Sequence, residues 1–284
     1  MVGDPFFDPI QSDACPQKGC DIHMPAAYAH YTFGKKVFKE LPQPVRALIG
    51  RSALHKKLFA IGLQGPDILF FYHPWCKNRV NTLGNEIHRQ PAADFLDSAR
   101  SRLGDPPDEA LLCYLLGFVC HFTLDSQCHP YIARRMTQTS VTHHQIESEF
   151  DRMLMEEDDR NPMTFNPAAY ASPDPEACCV IAGAYEDISA HQVSDALKGM
   201  ILVRDILTGR TAPKRMVVGG LTGLTPLKGL ALPRTPNPRC LASNRELHWL
   251  YDSAVREGAA LVLKFYQLAY NGAALPQRFL RNFE

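Results

Sequence analysis

Apolar residues recur at spacings of three and four along most of this chain, and no segment alternates apolar and polar as a half-buried strand would. Between Pro25 and Leu41 the inward face is Ala27, Tyr31, Gly34, Val37, Phe38 and Leu41, with His30 inside it. Pro42 and Pro44 interrupt that helix. A looser stripe of Leu48, Ile49, Leu54, Leu58 and Ile61 predicts a second helix from Val45 to Leu63. Pro91–Leu103 reads as another, with Phe95, Leu96 and Ala99 inward. Ala110–Cys120 is apolar on every side, which predicts a helix buried all round. Asp105 is its expected N-cap and Pro106 its first helical residue. A helix from His143 to about Met155 turns Ile146, Phe150, Met153 and Leu154 inward. Further helices fit Glu176–Asp187, Ala190–Thr208 and Asn244–Tyr270, the last with Leu247, Tyr251, Ala254, Leu261, Val262, Phe265 and Leu268 at helical spacing. No internal repeat is visible. The expected fold class is all-α, a single helical bundle domain over residues 24–284.

The remainder reads as connection. Residues 1–23 lack periodicity and are punctuated by Pro and Asp, which predicts an extended or disordered leader. Gly62, Gly65 and Pro66 end a helix in a turn that delivers Asp67, and an aromatic cluster follows it. The Gly- and Pro-rich stretch 209–238 exceeds an ordinary connection, so it is a functional flap or a poorly ordered loop.

Polar residues inside the apolar pattern carry the candidate chemistry. The buried helix leads straight into His121 and, four residues later, Asp125, which share a face. A histidine and a carboxylate in a core are costly unless something compensates them. His129 follows at the same spacing, but Pro130 disfavours helical geometry there. The helix is therefore expected to end at His129, leaving that residue free to serve a different ion from His121. His143 and Glu147 form another pair at the same spacing. Alone, His121 and Asp125 read as readily as a hydrogen-bonded structural pair, His143 and Glu147 read as a surface helix pair, and a lone inward histidine such as His30 is usually a satisfied core residue. Two pairs and a turn histidine within 27 residues read together as a polynuclear metal site.

The chain has 284 residues and a formal net charge of zero, with both signs interspersed. No basic stripe announces nucleic acid. No apolar run appears long enough for a transmembrane span, because the run at 110–120 is short and meets His121 and Asp125. No secretory signal is legible at the N-terminus, and nine scattered cysteines read mostly as reduced thiols, so a cytoplasmic location is expected. Cys15, Cys20 and His23 could hold a metal, but an ordinary loop is the simpler reading.

Taken in order, Pro25-Ala-Ala-Tyr-Ala-His30, Gly65-Pro66-Asp67, Gly84-Asn-Glu-Ile-His88, His121-Phe-Thr-Leu-Asp125 with His129, and His143-x-x-x-Glu147 resemble the bacterial zinc-dependent phospholipase C family. Single-strand-specific zinc nucleases share that fold. The resemblance implies a helical bundle with up to three zinc ions in a cleft, hydrolysing phosphodiesters. Carried across, Asp67, His88, His121 and Asp125 would hold one zinc, and His129, His143 and Glu147 a second. His30, with Asp125 bridging, would lean toward a third. In the family that third zinc also takes the amine and carbonyl of the mature first residue, whereas here 29 residues precede His30. Ile68 stands where the phosphatidylcholine-cleaving members carry an aromatic. Zinc would activate water, and Asp67 would orient or deprotonate it. The expected substrate is a phospholipid or related phosphodiester. The competing readings are a single-strand nuclease, which the neutral charge disfavours, and a non-catalytic helical zinc protein.

Overall fold

The computed structural model describes residues 27–207, 232 and 235–284, and no strand occurs among them. Ten α-helices are described: α1 (Ala27–Glu40), α2 (Gln43–Gly50), α3 (Ala53–Gly62), α4 (Arg79–Arg89), α5 (Ala92–Ser101), α6 (Glu109–Gln138), α7 (His143–Glu157), α8 (Pro175–Gly183), α9 (Ala190–Leu207) and α10 (Leu241–Asn271). The all-α expectation holds. The expected leader 1–23, with Cys15, Cys20 and His23, lies outside the described residues, as does most of 209–238. No disulfide joins the seven cysteines among the described residues.

Helix α6 is the axis. It is buried without interruption from Leu111 to Ser126, and α3 and α10 are its most extensive neighbours. Its cap is Asp108, whose carboxylate accepts the N–H groups of Ala110 and Leu111 at 2.8 and 3.1 Å. Asp105, the expected cap, lies one turn too early. The consecutive prolines 106 and 107 carry the chain to Asp108, the last side chain before the helix able to accept those donors.

The helix also does not end at His129; it runs through Pro130 to Gln138. A proline within a helix leaves the carbonyl four residues back without its donor. Here that carbonyl belongs to Ser126, and the Arg281 guanidinium donates to it at 2.9 Å. By length and composition α6 could cross a bilayer, contrary to the short span expected. Its apolar window is 94% buried inside the protein, as suits the core helix of a bundle.

Close packing brings α3 and the turn after it onto α6. A Cβ on Gly62 would sit 2.1 Å from the Tyr114 carbonyl, so the two backbones meet where no side chain fits. The following 3₁₀ turn, Gly65–Phe71, begins with Gly65 at φ 51°, a conformation that glycine adopts without penalty. That turn sets Asp67 opposite His121.

Other boundaries shift for local reasons. The stripe expected from Val45 to Leu63 divides at Arg51 and Ser52, because the Ser52 side chain accepts the His55 N–H at 3.0 Å and starts α3 afresh. Helix α4 has few inward apolar residues, chiefly Val80 and Ile87. It is started by a capping box between Asn78 and Asn81. His88 therefore sits in the last turn of α4. Helix α8 stops at Gly183, short of Asp187, and Tyr185 instead meets the Tyr114 hydroxyl at 2.7 Å.

Candidate metal centre

Five elements deliver the eight expected side chains to one place. Helix α1 supplies His30, the 3₁₀ turn Asp67, α4 His88, α6 His121, Asp125 and His129, and α7 His143 and Glu147. On α6 the three donors stand at i, i+4 and i+8, one stripe down a single helix face. That stripe needs the continuation through Pro130.

Asp125 is the centre of the arrangement. Its Oδ2 lies 3.0 Å from His121 Nε2 and 3.9 Å from His88 Nε2. Its Oδ1 lies 3.1 Å from His30 Nε2 and 3.6 Å from His129 Nε2. Asp67 faces the first group, with Oδ1 at 3.0 Å from His88 and Oδ2 at 3.9 Å from His121. Glu147 Oε1 lies 3.0 Å from His143 and 3.4 Å from His129. Three sets of donors gather closely enough to share an ion: His88, His121 and Asp125; His129, His143 and Glu147; and His30, Asp67 and His121.

The neighbourhood fixes these groups. The His88 Nδ1 contacts the Gly84 carbonyl at 2.7 Å, which turns Nε2 toward the carboxylates. His30 and His121 stack with ring centroids 4.3 Å apart. The first turn of α1 is held from α7, where the Asp151 carboxylate accepts the N–H groups of Tyr28 and Ala29 at 3.1 and 2.8 Å.

Charge is strongly organised. Burial alone would push the Asp125 carboxyl up, but His121, His129 and His30 together hold it well below its usual range. Glu147 is likewise raised by burial and then brought well below it by His143 and His129. Burial opposes a proton on His88, yet its hydrogen bond to Asp67 and the nearby charge push it up to about 9. His30 and His143 are raised for the same reason by Asp125 and Glu147, against burial. His121 goes the other way, because burial outweighs its carboxylate neighbours.

The donor set fits zinc. Zinc bonds of about 2.0–2.2 Å to nitrogen and oxygen place neighbouring ligands of a tetrahedral ion roughly 3.3 Å apart. The nitrogen–oxygen separations above, 3.0 to 3.9 Å, bracket that value. His121 Nδ1 and the Asp67 Oδ2 are buried without a hydrogen-bond partner, and His121 Nε2 faces the carboxylates of Asp125 and Asp67. Such atoms are costly in a core, and a cation between them would satisfy Asp67 Oδ2 and one His121 nitrogen.

A family model described as zinc dependent phospholipase C matches residues 29–183. The chain belongs to the zinc-dependent phospholipase C family. Comparisons with curated proteins and with solved structures find no match. All eight donors fall within the zinc-dependent phospholipase C match, whereas α10 and residues 277–284 lie beyond it.

Six of the donors, all but His30 and His121, line a cleft of about 230 Å³, together with Phe70, Asn85, Arg89, Ala133, His144 and Glu284. His144 has Ser148 rather than a carboxylate one turn on, and the residue pattern does not announce Asn85 or Arg89. Their signal is helical spacing: Asn85 and Arg89 stand one turn apart on α4, flanking His88.

Proposed function

We propose that this protein is a zinc-dependent phosphodiesterase that hydrolyses a phospholipid or related phosphodiester in the manner of a phospholipase C. The observation that carries the reading is Asp125, whose two oxygens face two separate histidine groups on the floor of an open cleft. That arrangement suits two ions sharing one carboxylate, with His88, His121 and Asp67 on one side and His129, His143 and Glu147 on the other. His30 leans from α1 toward a third position.

Bound zinc supplies charge stabilisation for a phosphodiester and a water acidic enough to attack near neutral pH. The chain's own residues do the rest. The Asp67 carboxylate, which would also touch the metal, faces the cleft and is the group suited to orient or deprotonate the attacking water. Arg89 brings a fixed positive charge to the cleft, suited to a phosphate oxygen. Phe70 and Ala133 offer apolar wall to a non-nucleotide substituent. In the hydrolysis, water oxygen joins phosphorus, the ester bond to the glyceride oxygen breaks, and that oxygen leaves with a proton.

Arg89 is the one Lys or Arg among the described residues lining the cleft. A groove that tracks single-stranded nucleic acid is ordinarily lined with several, so phospholipid is the better substrate class. The test is turnover by zinc-loaded protein on a phosphatidylcholine analogue, a bis-aryl phosphate and single-stranded DNA. Release of diglyceride is the expected result. Fully loaded protein that cleaves none of the three would favour a non-catalytic zinc protein instead.

A further inference from the structure

Residues 277–284 lie outside the family match and contribute no expected metal donor, yet they are fastened to the frame of the centre at several points. The buried Phe283 ring lies 5.3 Å from His88 and 5.9 Å from His121, centroid to centroid. Its backbone N–H donates to the His88 carbonyl at 3.2 Å, and the Arg281 carbonyl accepts the Ala92 N–H at 2.9 Å. Phe279 stacks on Phe122 at 5.6 Å. Two guanidiniums converge on one residue of α6: Arg278 donates to the Ser126 hydroxyl and Arg281 to the Ser126 carbonyl, each at 2.9 Å.

We infer that Arg281 is a positioning residue for the metal centre: it keeps α6 continuous through Pro130, so that His129 stays in line with Asp125. The inference rests on the two-ion reading above. Pro130 cannot donate to the carbonyl of residue 126, and Ser126 is fully buried, so in the folded protein that carbonyl relies on Arg281. Without this bond the carbonyl tilts away to find a partner, and the helix bends between Asp125 and the following turn. His121 and Asp125 precede the bend and keep their places. His129 follows it, and its contacts to Asp125 at 3.6 Å and Glu147 at 3.4 Å are the ones lost. The device is therefore selective for one of the two ions.

Arg281→Met tests this, because it keeps an apolar stem and removes every donor. Zinc is titrated against a chromophoric chelator, so that two binding events are resolved, with circular dichroism as the check on folding. Wild-type protein should bind two ions. In R281M one ion should loosen by ~10–100-fold, the scale for losing a group that orients a ligand, while the other changes less than about threefold. Pro130→Ala restores an N–H facing the Ser126 carbonyl, so the P130A/R281M double variant should regain the second ion. If R281M fails to fold and the double variant folds and binds two ions, the inference also stands. Two wild-type-like affinities in R281M, or a loss that P130A does not reverse, would overturn it. Wild-type protein that binds fewer than two ions would instead remove the two-ion reading beneath it.

Discussion

Asp125→Asn should weaken both ions at once. The carboxylate is buried and ionised, and its oxygens reach His30 at 3.1 Å, His121 at 3.0 Å, His129 at 3.6 Å and His88 at 3.9 Å. The amide keeps the shape and one acceptor oxygen but removes the charge. At an effective dielectric of about 20, a unit charge ~4 Å away contributes about 4 kcal/mol per unit of cation charge. For a divalent zinc that doubles to about 8 kcal/mol, a ceiling of roughly a millionfold in affinity. Glu147→Gln is the control, since Glu147 reaches only His143 and His129 and should loosen one ion alone. Chelator competition resolves the two affinities, elemental analysis gives the stoichiometry, and circular dichroism checks that each variant folds. An Asp125→Asn protein that keeps one ion at wild-type affinity would refute the sharing of this carboxylate.

Three further outcomes are expected. Asp67→Asn should retain much of its zinc while turnover on a chromogenic phosphodiester falls ~10², the scale of a lost general base; equal turnover would remove Asp67 from the mechanism. Zinc affinity should rise with pH between about 6 and 8, because below its pKa of about 9 His88 must surrender a proton to bind, and His30 and His143 are raised too. Calorimetric Kd values that do not change across this range would contradict that ordering of protons. Asp151→Ala strips the acceptor from two buried N–H groups at the start of α1, a loss of about 3 kcal/mol. The melting temperature should drop by roughly 5 °C, and an unchanged melt would show that α1 is held by other contacts.

Much of this centre is legible in the sequence because its residues conflict with their surroundings. His121 and Asp125 continue a run of apolar residues on a buried helix, and only a compensating partner makes that economical. Helices α1, α7, α9 and α10 are legible because each buries a long periodic stripe. Helix α4 is not, since its start is written in the Asn78–Asn81 box rather than in apolar spacing. The break before Ser52 hides inside a stripe that continues on both sides of it. The passage of α6 through Pro130 is the hardest to read locally. The donor that permits it belongs to Arg281, 155 residues beyond the Ser126 carbonyl that it meets. A local rule about proline fails where a distant side chain supplies the missing bond.

Anomalous diffraction at the zinc absorption edge, from crystals of the zinc-reconstituted protein, tests the central claim most directly. The account predicts two principal peaks flanking the Asp125 carboxylate, one among Asp67, His88 and His121 and the other among His129, His143 and Glu147. No peak at Asp125, or a single peak away from its two oxygens, would contradict it.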